Sequence, residues 1–295
     1  MMLAVLLAAV LPTMLLTSSN LQLALAQIEN QISSAPPPRF PPPPGGSPPD
    51  VLLADPFSAT QADASTNKTC TLTPSLIEAE GTPQQTEGPY FVDNMPNRSD
   101  ITSDTSTGSV EEGIPLRLVI NVYDVDGDDG GGREGSCIPL RGALVDIWHS
   151  NSQGVYSGVQ QQGTMGQNFL RGNQVTDENG TVRFTTVYPG WYEGRAIHIH
   201  IKVRTLQGSN ETFEWTSQFY LDDSITEQVH TQPPYSDHGQ PDITNQEDMI
   251  FTGPSTDGLI QSNTGEHLML NMTRDEKGQG YIGTFNVVVN ANQTG

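Results

Sequence analysis

The sequence is poor in positive charge. Its 295 residues include 13 Lys and Arg against 34 Asp and Glu, which gives a formal net charge of −21 at pH 7. A surface that binds nucleic acid or an anionic membrane needs clustered cations to displace the counterions of the phosphates. We therefore expect no nucleic-acid partner, and no membrane partner other than a retained N-terminal anchor.

Charged residues of both signs are few, at 16% of the chain, and long helical patterns are absent from the sequence. The chain instead contains 22 Pro and 29 Gly, together with many Ser, Thr, Asn and Gln. This composition indicates an extracellular, loop-rich protein that favours β structure, and it argues against helical bundles and coiled coils. Hydrophobic residues, at 35%, suffice for a core of ordinary size.

The N-terminal segment, residues 1–26, is mostly apolar and ends in Ala24-Leu25-Ala26, a small-x-small pattern that signal peptidase accepts. We predict a signal peptide that is cleaved before Gln27. No Lys or Arg precedes the apolar run and Pro12 interrupts it, so an uncleaved membrane anchor stays open as the alternative. In both cases the rest of the chain is expected to be secreted or extracellular, either free or tethered to a surface.

Export has consequences for the next residues and for covalent modification. Residues 27–66 are predicted to be a disordered linker, because residues 34–49 are dominated by proline and favour an extended spacer. The folded domain is predicted at residues 67–295.

Glycans are expected on Asn-x-Ser/Thr sequons, which begin at Asn67, Asn97, Asn179, Asn210, Asn271 and Asn292. In an oxidising compartment the only two cysteines, Cys70 and Cys137, predict one disulfide, the alternative being two buried thiols.

Short alternating runs of apolar residues follow. They predict strands at residues 116–122, 143–148, 181–186, 196–203, 213–220 and 281–289. Many short strands without long helical patterns predict an all-β fold, a β-sandwich of mostly antiparallel strands with long loops. The sequence Asp177-Glu178-Asn179-Gly180 predicts a hairpin turn between the run ending at Val175 and the next strand.

Two histidines, His198 and His200, lie in one of these strands. Alternate residues of a strand project from the same face, so the two imidazoles stand side by side while the isoleucines around them pack behind. This arrangement suits metal ligation, although two hydrogen-bonded histidines on a polar face would show the same pattern. Tyr192 lies six residues upstream, and a phenol ionises at neutral pH only beside a strong Lewis acid such as Fe(III).

Beyond the histidine pair, the chain resembles the intradiol ring-cleavage dioxygenases, and in particular the catalytic core of the catechol and protocatechuate dioxygenases. The resemblance covers about residues 70–289. It is carried by segments 86–91, 98–101, 139–148, 169–172, 176–180, 195–200, 216–220 and 245–248. It implies a β-sandwich around a non-haem iron site, with one Fe(III) per chain. The export signal and the lack of a helical N-terminal domain place the chain with an exported, single-domain branch.

The resemblance also implies roles for individual residues. The iron ligands would be Tyr156, Tyr192, His198 and His200. Arg195 would stabilise negative charge on the bound ring, Gln218 would lie near the substrate, and Tyr192 would also take part in catalysis. Gly88, Pro89 and Tyr90 would line the mouth of the pocket, although Tyr90 could equally serve packing. His149, His230 and His238 fall outside this pattern and are expected in loop or surface roles.

The implied activity is the cleavage of catechol-type rings by O2 to cis,cis-muconate-type products, with a small aromatic diol and O2 as the partners. Only five residues separate Tyr192 from His198, fewer than in cytoplasmic relatives, so a more open pocket is expected. Two alternatives stay open. One is a secreted, non-catalytic binding module of the same fold, and the other is an enzyme that holds another metal, such as copper, on the histidine pair.

Overall fold

The structure is a computed structural model that describes residues 81–125, 137–207 and 210–291. Nine strands and two short α-helices form the regular structure of these residues. The strands are β1 (Pro115–Val125), β2 (Cys137–Pro139), β3 (Leu144–Trp148), β4 (Arg171–Val175), β5 (Thr181–Val187), β6 (His198–Gln207), β7 (Asn210–Tyr220), β8 (Asn271–Arg274) and β9 (Tyr281–Val289). The helices are α1 (Asp223–Val229) and α2 (Met249–Thr252).

The strands form two sheets. In the first, β1 pairs with β9 in parallel along one edge, and with β5 and then β2 in antiparallel fashion along the other edge. Strand β8 extends this sheet beyond β9. In the second sheet the order is β4-β3-β6-β7, and every pair is antiparallel. The prediction of an all-β sandwich with mostly antiparallel strands is confirmed.

The main core lies between the two sheets. On β1, alternation turns Leu116, Leu118, Ile120 and Val122 inward, and all four are fully buried. Apolar residues of β3, β6 and β7 in the second sheet belong to the same cluster. The ring of Phe219 on β7 lies 4.4 Å from that of Phe285 on β9, centroid to centroid.

The opposite face of the second sheet is covered by loops rather than by water. A single row of paired residues crosses it, in the order Arg171, Trp148, His200 and Gln218. A smaller apolar cluster packs on this row, with Met95, Trp148, Tyr156 and Val159 at its centre. The side chains of His200 and Gln218 therefore project from this four-stranded sheet on the side away from the main core.

The predicted hairpin at residues 177–180 is wrong. The turn itself forms, since Asp177 accepts hydrogen bonds from the backbone of Asn179 and Thr181. The strands on its two sides belong to different sheets, however, because β4 pairs with β3 and β5 pairs with β1. The segment is an arch between the sheets. A turn motif specifies a local reversal of the chain, whereas pairing partners are chosen by packing.

Several predictions concern residues outside the described ranges. The signal peptide or anchor, the linker, Cys70 and the sequons at Asn67 and Asn292 lie there, and only the backbone of Cys137 and of Asn210 is described. Export, the domain boundary and the disulfide stay predictions. The described sequon residues Asn97, Asn179 and Asn271 are exposed, and their glycosylation stays a prediction. Within the described ranges no helix combines the length and the apolar character needed to cross a membrane.

Candidate metal centre

Two imidazoles stand side by side at the start of β6. Alternation directs Ile199 and Ile201 into the core and His198 and His200 to the opposite face. The histidines are 3% and 1% exposed, and their Nε2 atoms lie 3.1 Å apart. Two nitrogen ligands at about 2.1 Å from one ion, and at roughly a right angle, lie about 3 Å apart. The observed spacing fits two neighbouring ligands of a single metal ion.

Hydrogen bonding fixes the tautomer of His198. Its Nδ1 donates to the carbonyl of Ala196 at 2.7 Å, which leaves the lone pair on Nε2. Burial lowers the pKa of His198 and of His200 well below the ordinary value, so both rings are neutral at neutral pH. The His200 ring is stacked on the indole of Trp148, with centroids 4.8 Å apart and planes inclined by 2°. Neutral, oriented imidazoles are the form that binds metals.

Two phenols complete this group. The Tyr192 hydroxyl is 3.2 Å from Nε2 of His198. The ring centroid of Tyr156 is 5.6 Å from that of Tyr192 and 6.1 Å from that of His200. Tyr156 is fully buried, and its hydroxyl has no hydrogen-bond partner within the described residues. The structure thus brings together all four predicted ligands, and a metal ion bound among them would satisfy the buried hydroxyl.

Burial also decides the protonation of the phenols. It raises the pKa of Tyr156 well above its ordinary value, and it raises the pKa of Tyr192. Both phenols are neutral in the protein alone, and a strong Lewis acid would be needed to hold them as phenolates at neutral pH. In residues 81–125, 137–207 and 210–291, no group of three or more His, Cys, Asp or Glu is arranged to hold a metal. A metal at this site would therefore depend on the tyrosines.

Tight loops place the two phenols. The backbone N–H of Arg195 donates to the carbonyl of Tyr192 at 3.3 Å and closes the turn that carries Tyr192 towards β6. On the other side, Gly154 lies against the carbonyl of Trp191 with φ +75°, and a Cβ there would overlap that carbonyl. Glycine allows the loop that carries Tyr156 to approach the Tyr192 segment this closely.

Arg195 and Gln218 lie beside the histidine pair. Gln218 is opposite His200 in the pairing of β6 with β7, and its Oε1 accepts a 2.6 Å hydrogen bond from Nη2 of Arg195. The Nε atom of Arg195 donates to Oδ2 of Asp248 at 2.9 Å. Burial acts to lower the pKa of Arg195, but the neighbouring phenols and the Asp248 carboxylate outweigh it, and the pKa is raised. The guanidinium is a fixed positive charge held at two of its nitrogens.

The segment predicted to line the pocket lies over the same group. Gly88 has φ +73°, and a Cβ at this position would be 3.2 Å from Cε1 of His200. Pro89 is exposed, and the ring of Tyr90 lies 4.6 Å from that of Tyr156, centroid to centroid. Gly88 and Tyr90 therefore border the predicted ligands. The contacts of Tyr90 are compatible with both roles considered for it, pocket lining and packing.

Comparison with known proteins finds similarity to dioxygenases. Residues 86–225 match the family model described as Dioxygenase. The solved structure of an intradiol ring-cleavage dioxygenase from Tetranychus urticae is 29% identical, with a TM-score of 0.57, and the match covers 72% of this chain and 96% of that one. The chain is similar to the intradiol ring-cleavage dioxygenases over this region. The resemblance noted in its sequence is confirmed.

Curated relatives in this family match over shorter segments. Catechol 1,2-dioxygenase from Acinetobacter baylyi is 33% identical over 111 residues, which is 38% of this chain and 32% of the relative. Chlorocatechol 1,2-dioxygenase from Pseudomonas putida is 28% identical over 160 residues, which is 46% of this chain and 52% of the relative. The chain thus spans about a third of the length of the first relative and about half of the second.

Two residues at the site had no predicted part in the chemistry. Asp248 lies 53 positions from Arg195 in sequence, and no spacing rule connects a carboxylate in one loop with an arginine in another. Trp148 is fully buried, and the sequence did not indicate that its indole supports the ring of His200. Its pairing with His200 across β3 and β6 could have been found once the strand register was known.

His149 and His230 lie in loops outside the candidate ligand group, as predicted, but they are buried rather than on the surface, at 0% and 1% exposed. His149 is held between Ser150 O and the Thr186 hydroxyl, and His230 Nδ1 donates to a helix carbonyl. Hydrogen bonds at both nitrogens remove most of the cost of burying His149, whereas Nε2 of His230 is buried with no partner among the described residues. His238 is part-buried and is stacked on Trp191, with ring centroids 4.3 Å apart.

Proposed function

We propose that this protein is a non-haem Fe(III) intradiol dioxygenase that opens catechol-type rings with O2 to cis,cis-muconate-type products. The observation that carries the proposal is the convergence of two phenols and two neutral imidazoles, with Nε2 of His198 3.1 Å from Nε2 of His200 and 3.2 Å from the Tyr192 hydroxyl. Hard phenolate oxygens favour Fe(III) over copper as the ion that this set of donors would hold. Similarity to the intradiol ring-cleavage dioxygenases supports the same reaction.

Tyr156, Tyr192, His198 and His200 would hold one ferric ion per chain. When bound, the ion would act as a Lewis acid towards the phenol oxygens and the two oxygens of a catechol. The two tyrosines differ in their surroundings, since Tyr156 is fully buried and Tyr192 is part-buried. In our proposal Tyr192 is the tyrosine that exchanges a proton with the substrate and accepts one of the two catechol protons at its phenol oxygen.

Arg195 and Gln218 supply the fixed polar groups. Two nitrogens of the Arg195 guanidinium are bound to Gln218 and Asp248, and the third, Nη1, has no hydrogen bond to a described residue. A substrate ring that gains negative charge during the reaction would be stabilised by this cation, whose position does not have to change. Removal of one such pre-aimed donor typically lowers kcat by about 10² to 10³-fold. Gln218 is held in turn by its Nε2, which donates to the carbonyl of Thr86.

The charges at the site favour catechols without a carboxylate. The described cations at the site and along this face of the sheet are either ion-paired or fully buried. The pairs are Arg195 with Asp248, Lys202 with Glu87 and Glu214, and Arg204 with Asp146. Arg171 is buried and hydrogen-bonds to Ser157. Apart from Nη1 of Arg195, which the proposal assigns to charge on the ring itself, these cations are already paired or buried and do not offer a partner to a carboxylate on the ring. The net charge of −21 adds a mild repulsion of anionic substrates. The apolar N-terminus and the sequons support an exported enzyme.

Oxygen uptake and product analysis test the proposal. The iron-loaded protein is expected to consume one O2 per ring with catechol or hydroxyquinol, to incorporate both atoms of ¹⁸O2 into an acyclic dicarboxylate, and to act more slowly on protocatechuate. Arg195→Ala is expected to keep the iron and lose most of kcat. Absence of O2 uptake with all three catechols in protein with one iron per chain would contradict the proposed function.

A further inference from the structure

Asp248 joins two segments that meet at the candidate site. Its carboxylate is 1% exposed and lies at the N-terminus of α2. Oδ2 accepts from Nε of Arg195 at 2.9 Å and from the backbone N–H of Ala196 at 3.0 Å. Oδ1 accepts from the backbone N–H groups of Ile250 and Phe251 at 2.7 and 3.4 Å. Four donors therefore fix the carboxylate in one orientation, and its position follows from the backbone.

The guanidinium of Arg195 takes its orientation from this carboxylate and from Gln218. A free arginine side chain samples many rotamers, so it does not hold one position without partners. Here Nε is bound to a carboxylate fixed by backbone groups, and Nη2 is bound to an amide whose own Nε2 is anchored on Thr86. Because the guanidinium is planar, two anchored nitrogens determine where the third one points.

We propose that Asp248 is a positioning residue for ring cleavage, acting through Arg195: it holds the guanidinium so that Nη1 faces the place where negative charge develops on the ring. This inference rests on the proposed function. Asp248 has no direct hydrogen bond to Tyr156, Tyr192, His198 or His200 among the described contacts. Its hydrogen bonds within the site go to Arg195 and to the backbone of Ala196, not to the candidate ligands. An Arg195 freed from Asp248 still carries its charge but spends less time in the productive orientation.

The test is a double-mutant cycle with Asp248→Asn and Arg195→Gln in the iron-loaded protein. Asp248→Asn replaces an acceptor with an amide of the same shape. Groups that orient a functional side chain typically contribute 10 to 100-fold, so kcat for catechol is expected to fall by about that factor, with KM changed less than about threefold and the visible iron band kept. In the Arg195→Gln background the same change is expected to cost less than about threefold, because the residue through which Asp248 acts is gone.

A matched control separates positioning from general destabilisation. Asp104 is also 1% exposed and also joins two segments, accepting from the backbone N–H groups of Ser106, Thr107 and Asn168. It does not bond to Arg195. Asp104→Asn is expected to lower the unfolding temperature to a similar extent and to leave kcat within about twofold of the parent. An equal loss of kcat in Asp104→Asn and Asp248→Asn would overturn the inference.

A measurement without iron distinguishes this inference from the proposed function. In the ¹⁵N NMR spectrum of the metal-free protein, the Nε–H of Arg195 is expected to exchange slowly with solvent, and to exchange rapidly in Asp248→Asn. The signal is assigned by its absence in Arg195→Gln. The positioning role would be overturned if the Nε–H of Arg195 exchanged as slowly in Asp248→Asn as in the parent. It would also be overturned if the fall in kcat of the double variant equalled the product of the falls in the two single variants. A parent protein that turns over no catechol, with the exchange result as expected, would instead refute the proposed function.

Discussion

The buried histidine His149 gives a quantitative prediction about stability and pH. Its Nδ1 donates to Ser150 O at 2.8 Å, and its Nε2 accepts from the Thr186 hydroxyl at 2.7 Å, so both ring nitrogens are used by the neutral form. Burial is the main cause that lowers the pKa of His149 from 6.5 to about 4. Between these two values the unfolded chain binds a proton that the folded protein excludes.

The sign and size of the effect of His149 on stability follow from the linkage between proton binding and folding. A histidine with a lowered folded-state pKa makes the folded protein less stable as the pH falls from 6.5 towards 4, with no contribution above 6.5 and no further loss below 4. Between pH 7 and pH 5 the stability lost through His149 is about 2 kcal/mol. Urea unfolding of the metal-free protein at these two pH values measures the change. Because other groups titrate as well, the wild type is compared with His149→Gln, which lacks this proton.

The wild type is expected to lose about 2 kcal/mol more than His149→Gln between pH 7 and pH 5. Thr186→Val is the control, because it removes the hydroxyl partner and keeps the imidazole. It is expected to be less stable at both pH values and to retain the dependence on pH. Equal losses in the wild type and His149→Gln would refute the reasoning, since the folded protein would then bind the proton as readily as the unfolded chain.

Three further substitutions test other parts of the structure. Gly88→Ala places a Cβ 3.2 Å from Cε1 of His200 on a backbone with φ +73°. We expect the stability measured by thermal unfolding to fall by about 1 to 3 kcal/mol, and iron binding measured by titration to weaken. Tyr235→Phe removes a buried hydroxyl that donates to one backbone carbonyl and accepts from one backbone N–H. The free energy of unfolding measured with urea is expected to fall by about 1 to 3 kcal/mol. Arg204→Leu leaves the buried Asp146 carboxylate without its arginine, and the free energy of unfolding is expected to fall by about 3 to 5 kcal/mol. An unchanged stability would show that Asp146 is neutral in the folded protein.

The strands of the main core could be predicted because their side chains obey one simple pattern. In β1 every second residue is apolar and fully buried, and the predicted range 116–122 falls within Pro115–Val125. Strand β4 was predicted only as a run ending at Val175, without a start, because its sequence, Arg-Gly-Asn-Gln-Val, has no apolar alternation. Its outward-facing Arg171 is covered by the loops of the site and hydrogen-bonds to Ser157. Such tertiary contacts replace the apolar pattern on which strand prediction depends.

The candidate ligands could also be identified from the sequence, but only partly from chemistry. Strand alternation alone places His198 and His200 on one face, and the structure has them there. The assignment of Tyr156 depended on the resemblance to a family, because this residue lies in a loop 42 positions before His198. Asp248 could not be predicted at all, since its role arises from a contact between two loops whose relative position is set by the fold.

The central claim is that two phenols and two imidazoles bind one ferric ion, and a spectroscopic titration tests it most directly. Fe(III) added to the metal-free protein is expected to produce a visible tyrosinate band that saturates at one ion per chain. The band should be lost or shifted in Tyr156→Phe and in Tyr192→Phe. Tyr90→Phe is the matched control, because its ring lies 4.6 Å from that of Tyr156, centroid to centroid, without being one of the four, and it should keep the band. A band that is unchanged in both ligand variants, or that is lost equally in Tyr90→Phe, would contradict the account.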